Sequence, residues 1–153
     1  MEEWQEAEVL LRLPGGERWK AAREGVLSNS ECPQPTPGGI EIALQAIRRF
    51  IGVPYLWGGR TPFGYDCSGL AQAFHAFLGC SIPRDADQQF RAARPVEGEP
   101  RPGDLLFFGR HDPFSPRYAS ITHVAISLGG SEIIHANGGQ VYPGKAPERP
   151  FIL

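Results

Sequence analysis

The spacing of hydrophobic residues predicts three helices in the first two thirds of the chain. The first covers about residues 40–51, where apolar side chains recur at intervals of three or four: Ile40, Ala43, Leu44, Ile47 and Ile51. The second begins at Cys67 and ends near Gly79. Its apolar face is formed by Leu70, Phe74, Phe77 and Leu78. The third runs from Asp85 to about Ala93, and the Asp85 side chain is expected to cap its N-terminus.

Beyond Gly103 the hydrophobic pattern changes to the period of strands. Residues 122–128 alternate between apolar and polar side chains, which predicts a half-buried strand. Shorter apolar runs predict three further strands, at 104–108, 132–136 and 140–142. Glycine pairs between the last strands are typical of tight turns. Helices followed by strands favour an α+β fold, in which N-terminal helices pack on an antiparallel β-sheet.

The chain is expected to divide into a short N-terminal part and one larger domain. Residues 1–30 contain two stretches that could pair as strands around a turn at Pro14–Gly16, which is too little to fold alone. Residues 31–39 hold three prolines and two glycines and are predicted to be a linker. Residues 40–153 are long enough for one domain with its own core.

Charge and cysteine content narrow the function classes. Fifteen Lys and Arg residues against 17 Asp and Glu give a net charge of −2, so nucleic acid and anionic membranes are not expected partners. No apolar run is long enough to cross a bilayer, and the acidic start MEEWQE is unlike a signal peptide. Three irregularly spaced cysteines do not form a disulfide framework. We therefore expect a cytoplasmic protein, or a secreted or cell-wall-associated one if a longer N-terminus carries an export signal.

Cys67 is the first candidate for a chemical role. It lies where a glycine- and aromatic-rich loop ends and the second predicted helix begins. A thiol in the first turn of a helix is close to free backbone N–H groups and to the positive end of the helix dipole. Both favour the thiolate, which is the nucleophilic form. The sequence thus suggests a cysteine nucleophile, although a cysteine at such a position is as often a small core residue.

A cysteine nucleophile needs a base, and two histidines are placed to supply one. His123 and His135 lie 12 residues apart on consecutive predicted strands, so their imidazoles could meet across a hairpin. His123 would take the thiol proton and His135 would orient His123. Either histidine alone would more often be structural. A zinc site is disfavoured because no C-x-x-C or H-x₃₋₅-H spacing is present, and no metal is expected.

Six segments together resemble a known family. PYLWGG, TPFGYDCSGL, IPRDADQQ and RPGDLLFF, followed by ITHVAISLGG and IIHANG, are similar to the NlpC-type cysteine peptidases of bacteria over about residues 40–140. The resemblance implies a circularly permuted, papain-like fold that acts on the cell wall. It implies that Cys67 is the nucleophile, His123 the base and His135 the orienting residue. It also implies that Tyr55 supports the oxyanion.

The resemblance further implies a substrate class. Asp66 and Ser68 flank the nucleophile as in the family's substrate-binding segment. IPRDADQQ is most similar to the subgroup that cleaves γ-D-glutamyl-diamino acid bonds in peptides with a free N-terminal L-alanine. Asp85 would there receive the substrate amine, because a carboxylate that pairs with a free ammonium recognises a peptide end. The implied partners are peptidoglycan stem peptides (muropeptides), bound by a monomer without a cofactor.

Two departures from the family pattern leave alternatives open. Similar proteins carry SH3-like domains before the peptidase domain, whereas residues 1–30 resemble at most the remnant of one such barrel. Similar proteins also usually add a final strand after the position of Tyr142, where this chain stops soon after. A non-catalytic peptidoglycan-binding module, and an amidase or acyltransferase with the same Cys–His pair, therefore remain alternatives. Loop 109–121 is expected to border the cleft, without an assigned role.

Overall fold

A computed structural model describes residues 8–12, 18–22, 35–110, 120–146 and 151–152, with side chains for 35–110 and 120–146. The chain separates into two compact units, Met1–Cys32 and Pro33–Leu153. In the first unit, strand β1 (Glu8–Arg12) pairs antiparallel with β2 (Arg18–Ala22). The predicted turn at Pro14–Gly16 lies outside the described residues, and the resemblance to an SH3-like barrel stays a prediction.

The three predicted helices are present in the second unit with shifted ends. They are α1 (Pro37–Arg48), α2 (Cys67–Phe77) and α3 (Ala86–Ala92). Helix α1 begins before residue 40 because the Thr36 hydroxyl accepts a hydrogen bond from Gly39 N at 3.2 Å. Pro37 is compatible with the first helical position, where no N–H is needed. The last three residues of the predicted linker therefore belong to α1.

The strands form an antiparallel sheet and a small hairpin. The sheet contains β5 (Leu105–Arg110), β6 (Ser120–Gly129), β7 (Glu132–Asn137), β8 (Gln140–Lys145) and β9 (Phe151–Ile152), in the order β8-β7-β6-β5-β9. The hairpin pairs β3 (Arg60–Thr61) with β4 (Gly64–Tyr65). The expectation that the chain stops without a final strand is wrong, because β9 pairs with Leu106 and Phe107 of β5.

The main core lies between the helices and one face of the sheet. Alternation along β6 directs Val124 and Ile126 into this core and Ala125 into a smaller cluster with Leu106 and Ile133. The helices contribute fully buried side chains, among them Leu44, Ile47, Leu70 and Phe74. Burial of such a side chain contributes about 1.5–3 kcal/mol, which is why these faces set the helix orientation. This is the α+β architecture that the hydrophobic pattern predicts.

Two residues that the spacing assigns to buried faces are exposed. Ile51 follows the end of α1 and is 46% exposed, and Phe77 at the end of α2 is 38% exposed. Both lie where a helix ends, so the helical period no longer determines which side they face. Among the described residues no helix has the length and hydropathy needed to cross a bilayer.

A glycine contact fixes the start of α2 against the preceding loop. A Cβ atom at Gly69 would lie 2.1 Å from the carbonyl oxygen of Gly59 and 3.0 Å from the Asp66 carboxylate. The same Gly59 carbonyl accepts a hydrogen bond from Asp66 N at 3.1 Å. Only glycine therefore allows the loop backbone to approach the first turn of α2 this closely.

We expect Gly69→Ala to destabilise the protein. Helix propensity alone would favour alanine by about 1 kcal/mol, but overpacking against a backbone atom that cannot rotate away should reverse the sign, with a net loss of about 1–3 kcal/mol. Urea unfolding measures the change. The matched control is Gly38→Ala in α1, where an added Cβ meets no atom within 4 Å. Equal or greater stability of Gly69→Ala would contradict the contact.

Candidate active site

Cys67 is the first residue of α2 and a free, half-buried cysteine. Asp66 precedes it as the N-cap, with extended backbone dihedrals (φ −92°, ψ 177°). Its carboxylate accepts a hydrogen bond from Gly69 N at 2.7 Å. Capping by a side-chain oxygen satisfies one of the free N–H groups of the first turn and fixes where the helix begins. The thiol is thus presented at a defined helix end.

The Asp66 carboxylate joins three separate segments. Besides Gly69 N it accepts hydrogen bonds from Gly58 N at 2.9 Å, from Ser68 Oγ at 3.3 Å and from Arg84 Nη1 at 3.1 Å. Arg84 Nη2 donates to the second carboxylate oxygen, Oδ2, so Arg84 and Asp66 form a bidentate ion pair. Burial opposes the charge, but these donors outweigh it and hold the pKa of Asp66 below its usual range.

The side chains of Asp66 and Ser68 therefore form hydrogen bonds with other groups of the protein. Ser68 Oγ also accepts a hydrogen bond from Arg84 Nη1 at 2.8 Å, and both residues are buried while lining the cleft described below. What the structure shows for them is a positioning role. Their predicted contact with substrate stays a prediction.

Arg84 is a site residue that the sequence reasoning missed. It lies 18 residues beyond Asp66, in the segment before α3, so no local period connects the two. One signal could have identified it. A capping aspartate uses one carboxylate oxygen for the helix N-terminus, so the other oxygen still needs a hydrogen-bond donor. In a buried turn the negative charge also needs a cation nearby. Arg84 directly precedes Asp85 in the IPRDADQQ segment.

The structure brings the two histidines together. Nε2 of His123 on β6 lies 2.8 Å from Nδ1 of His135 on β7. Ile126 pairs with Ile134, so the histidines are diagonal rather than directly opposite neighbours. Their rings meet edge to face, with centroids 5.0 Å apart. Packing restrains both rings, through Phe108 against His123 and Tyr142 against His135.

The Cys67 sulfur lies beside the backbone of β6. The backbone of Val124, which follows His123, and the backbone of the first turn of α2 both act to lower the pKa of the Cys67 thiol. Burial is nevertheless the largest effect on the thiol, and it raises the pKa of Cys67 above its ordinary value. The backbone of the first turn of α2 acts to lower the pKa, in the direction expected from a helix start, but burial outweighs it.

The histidines are neutral at neutral pH. Burial, together with the neighbouring His135, lowers the pKa of His123 to about 4, and burial also lowers the pKa of His135. With Nε2 of His123 joined to His135, Nδ1 is the nitrogen left to take a proton. That requires the tautomer in which Nε2–H donates to His135 Nδ1. In the resting state the Cys67 thiol is protonated and the neutral imidazole of His123 is oriented by His135. A neutral, oriented imidazole is the form that can act as a general base.

A cleft of about 610 Å³ opens beside Cys67. Its lining comes from four segments: Tyr55, Trp57, Gly58; Asp66, Cys67, Ser68; Arg84, Asp85, Ala86, Asp87; and Ile121, Thr122. Cys80 lies instead in a separate cavity of about 380 Å³. In the part of the chain that is described, no group of three or more His, Cys, Asp or Glu residues could hold a metal ion.

Tyr55 is held in this cleft with its hydroxyl protonated. Its backbone N–H donates to Gly139 O at 2.7 Å, which fastens the loop to the turn before β8. Burial raises the pKa of Tyr55, and the charges of Cys67 and Asp66 raise it further. The phenol therefore remains a hydrogen-bond donor across the neutral range.

Asp85 occupies the N-cap position of α3, but its side chain makes no capping hydrogen bond. The predicted capping contact is therefore wrong. Its carboxylate is exposed and lines the cleft. It is thus free of the helix and placed where a bound molecule can reach it.

The pH dependence of Cys67 alkylation tests this electrostatic state. Because burial raises the thiol pKa and lowers that of His123, the rate of labelling by iodoacetamide should rise with a single midpoint above that of an exposed cysteine. The rate is measured at the Cys67 peptide by mass spectrometry, with Cys80 as internal reference. A preformed thiolate–imidazolium pair would instead give fast labelling down to about pH 5, and that result would overturn the neutral assignment.

Comparison with known proteins places the chain in a family. The sequence profile of the NlpC/P60 family matches residues 52–149. A γ-D-glutamyl-L-lysine dipeptidyl-peptidase of Bacillus cereus is 35% identical over 126 residues, which cover 81% of this chain and 36% of that protein. The Bacillus subtilis protein of the same name is 39% identical over 100 residues, covering 65% and 32%. The chain therefore spans about a third of the length of these relatives.

Solved structures agree with this placement. An NlpC/P60 family protein from Bacillus cereus superposes with a TM-score of 0.72 at 27% identity, covering 94% of this chain and 47% of that one. RipD from Mycobacterium tuberculosis, described as a non-catalytic NlpC/p60 domain protein adapted to peptidoglycan binding, gives 0.60 at 25% identity, covering 74% and 95%. With this fold, this profile match and these relatives, the chain belongs to the NlpC/P60 family.

Proposed function

We propose that this chain is a cysteine peptidase that hydrolyses the γ-D-glutamyl–diamino acid bond of peptidoglycan-derived peptides with a free N-terminal L-alanine. The observation that carries the proposal is the 2.8 Å contact between His123 and His135, one residue before Val124, whose backbone lowers the pKa of Cys67. A core cysteine or a surface histidine would not require this arrangement. The names of the two Bacillus relatives support the bond and the substrate class.

In the proposed acylation step, Cys67 Sγ attacks the γ-carbonyl carbon of the D-glutamyl residue. His123 Nδ1 takes the thiol proton as the sulfur–carbon bond forms, and the carbonyl oxygen gains negative charge. The pKa of about 4 keeps His123 unprotonated before the attack. His135 accepts the Nε2–H of His123 and so maintains the productive tautomer.

We assign two hydrogen-bond donors to the oxyanion. The first is the backbone N–H of Cys67, which lies in the first turn of α2 and acts to lower the pKa of its own thiol. The second donor is the hydroxyl of Tyr55, which lines the same cleft and is protonated.

When the tetrahedral intermediate collapses, the carbon–nitrogen bond breaks and His123 gives its proton to the leaving amine. Water then attacks the thioester, with His123 again as base, and releases the acid and the free thiol.

Asp85 is proposed to select the free amino terminus. Its carboxylate lines the cleft without a capping bond to α3, so it can pair with the ammonium group of the substrate's L-alanine. A peptide whose N-terminal amine is acylated carries no ammonium group there and cannot make this pair. Specificity for a free peptide end would then reside in one side chain.

A second candidate is a peptidoglycan-binding module without turnover. The observation that favours it is the similarity to RipD, which is described as non-catalytic. Against it stand the thiol and the two joined histidines, because binding alone requires neither. An amidase or acyltransferase with the same residues would differ only in the acyl group or in the final acceptor.

We expect Cys67→Ser to abolish cleavage of L-Ala-γ-D-Glu-diaminopimelate, because the hydroxyl is a far weaker nucleophile at neutral pH. Release of the free diamino acid, followed by chromatography and mass spectrometry, measures turnover. The matched control, Cys80→Ser, changes the half-buried cysteine of the separate cavity and should retain activity. Binding of the peptide by wild type without any product would instead favour the binding module. Loss of activity in Cys80→Ser alone would contradict the nucleophile assignment.

We expect Asp85→Asn to lower kcat/KM for the free-amine peptide about 10- to 100-fold, the value of one charge-assisted hydrogen bond. The N-acetylated peptide should be cleaved poorly and equally by both proteins, so the preference for the free amine disappears. Glu41→Gln, which removes an exposed carboxylate on α1, serves as the control. An equal loss of kcat/KM on both peptides would show that Asp85 does not bind the amino group of the substrate.

A further inference from the structure

The negative charge of Asp66 creates an electrostatic problem for its neighbour. Its carboxylate is buried, is the N-cap of the helix that starts at Cys67, and is ionised. An anion at this position opposes loss of the thiol proton, and it is one of the effects that raise the pKa of Cys67. The cap that fixes the position of the thiol therefore also disfavours its reactive form.

Arg84 meets this carboxylate with the opposite charge. Both of its terminal nitrogens reach Asp66, and Nη1 also donates to Ser68 Oγ at 2.8 Å, directly after the nucleophile. A planar guanidinium can hold a carboxylate through two parallel bonds, which a lysine cannot do. Arg84 also interacts electrostatically with Cys67, because negative charge on Cys67 is one of the causes that raise the pKa of Arg84.

We propose that Arg84 is a positioning residue for the nucleophile, which holds the Asp66 cap and cancels its charge so that Cys67 can lose its proton during attack. The proposal rests on the role of Cys67 under the proposed function. It adds a residue that acts through Asp66 and need not touch substrate. Removal of the guanidinium would leave a buried, uncompensated carboxylate beside the sulfur.

Other ionisable groups near Cys67 do not replace this function. Asp85 and Asp87, which line the cleft from α3, carry the same sign as Asp66. Tyr55 is a neutral phenol, and His123 and His135 are neutral at neutral pH. Among the described side chains that line the cleft, Arg84 is the cation.

Three variants separate charge from hydrogen bonding. Arg84→Gln removes the charge but keeps an N–H donor, Arg84→Lys keeps the charge, and Asp66→Asn/Arg84→Gln removes both charges. The readout is the pH profile of iodoacetamide alkylation at the Cys67 peptide, measured on the full chain without substrate. Arg48→Gln, at an exposed ion pair with Glu41 on α1, is the matched control.

We expect Arg84→Gln to shift the alkylation midpoint by about one pH unit toward alkaline values, because one uncompensated charge beside the thiol has an effect of this size. The double variant should return toward the wild-type midpoint, and Arg84→Lys and Arg48→Gln should stay near it. An unchanged midpoint in Arg84→Gln, or a double variant that stays shifted, would overturn the proposal.

The alkylation test remains informative if a variant does not fold or if the wild type has no peptidase activity. If Arg84→Gln does not fold, as judged by circular dichroism, Arg84→Lys decides, since an alkaline shift with the charge retained would contradict a charge-cancelling role. Because alkylation needs no substrate, the expected shift can appear even if wild type fails to cleave the peptide. That combination would refute the proposed peptidase function while leaving the role of Arg84 intact.

Discussion

One carboxylate joins three segments of the candidate active site. Asp66 receives hydrogen bonds from the aromatic loop at Gly58, from the first turn of α2 at Gly69 and from Arg84 before α3. Hydrogen bonds to a charged group contribute about 1.5–3 kcal/mol each, and loss of one partner from a buried ion pair costs about 3–5 kcal/mol. These bonds fix the relative position of the loop that carries Tyr55 and the helix that carries the thiol. Three of the four segments that line the cleft therefore meet at this carboxylate.

Burial then determines how the site can work. It keeps the thiol protonated and the imidazoles neutral, so in the proposed reaction the proton moves during the attack rather than before it. The contact between His123 and His135 leaves one nitrogen of His123 as the acceptor for that transfer. Under the proposed mechanism the site develops charge only when substrate is present, where the assigned oxyanion donors and the compensated cap of α2 would stabilise it.

Local patterns in the sequence predicted the features that depend on nearby residues. The start of α2 at Cys67 follows from a change in hydrophobic period, and the meeting of His123 and His135 follows from a short hairpin. Contacts between distant segments were not predictable in this way. The pairing of Arg84 with Asp66 depends on how the α3 segment folds back, and the raised pKa of the thiol depends on burial by the whole core. Both are tertiary effects that no single window of sequence contains.

The central claim is that Cys67 forms a covalent thioester with the acyl part of the substrate. The most direct test mixes the protein with L-Ala-γ-D-Glu-diaminopimelate, quenches the reaction in acid at short times and maps modified peptides by mass spectrometry. The account predicts an L-Ala-γ-D-Glu adduct on Cys67 that hydroxylamine removes. Release of the diamino acid in the same samples with Cys67 unmodified, or with the acyl group on another residue, would contradict it.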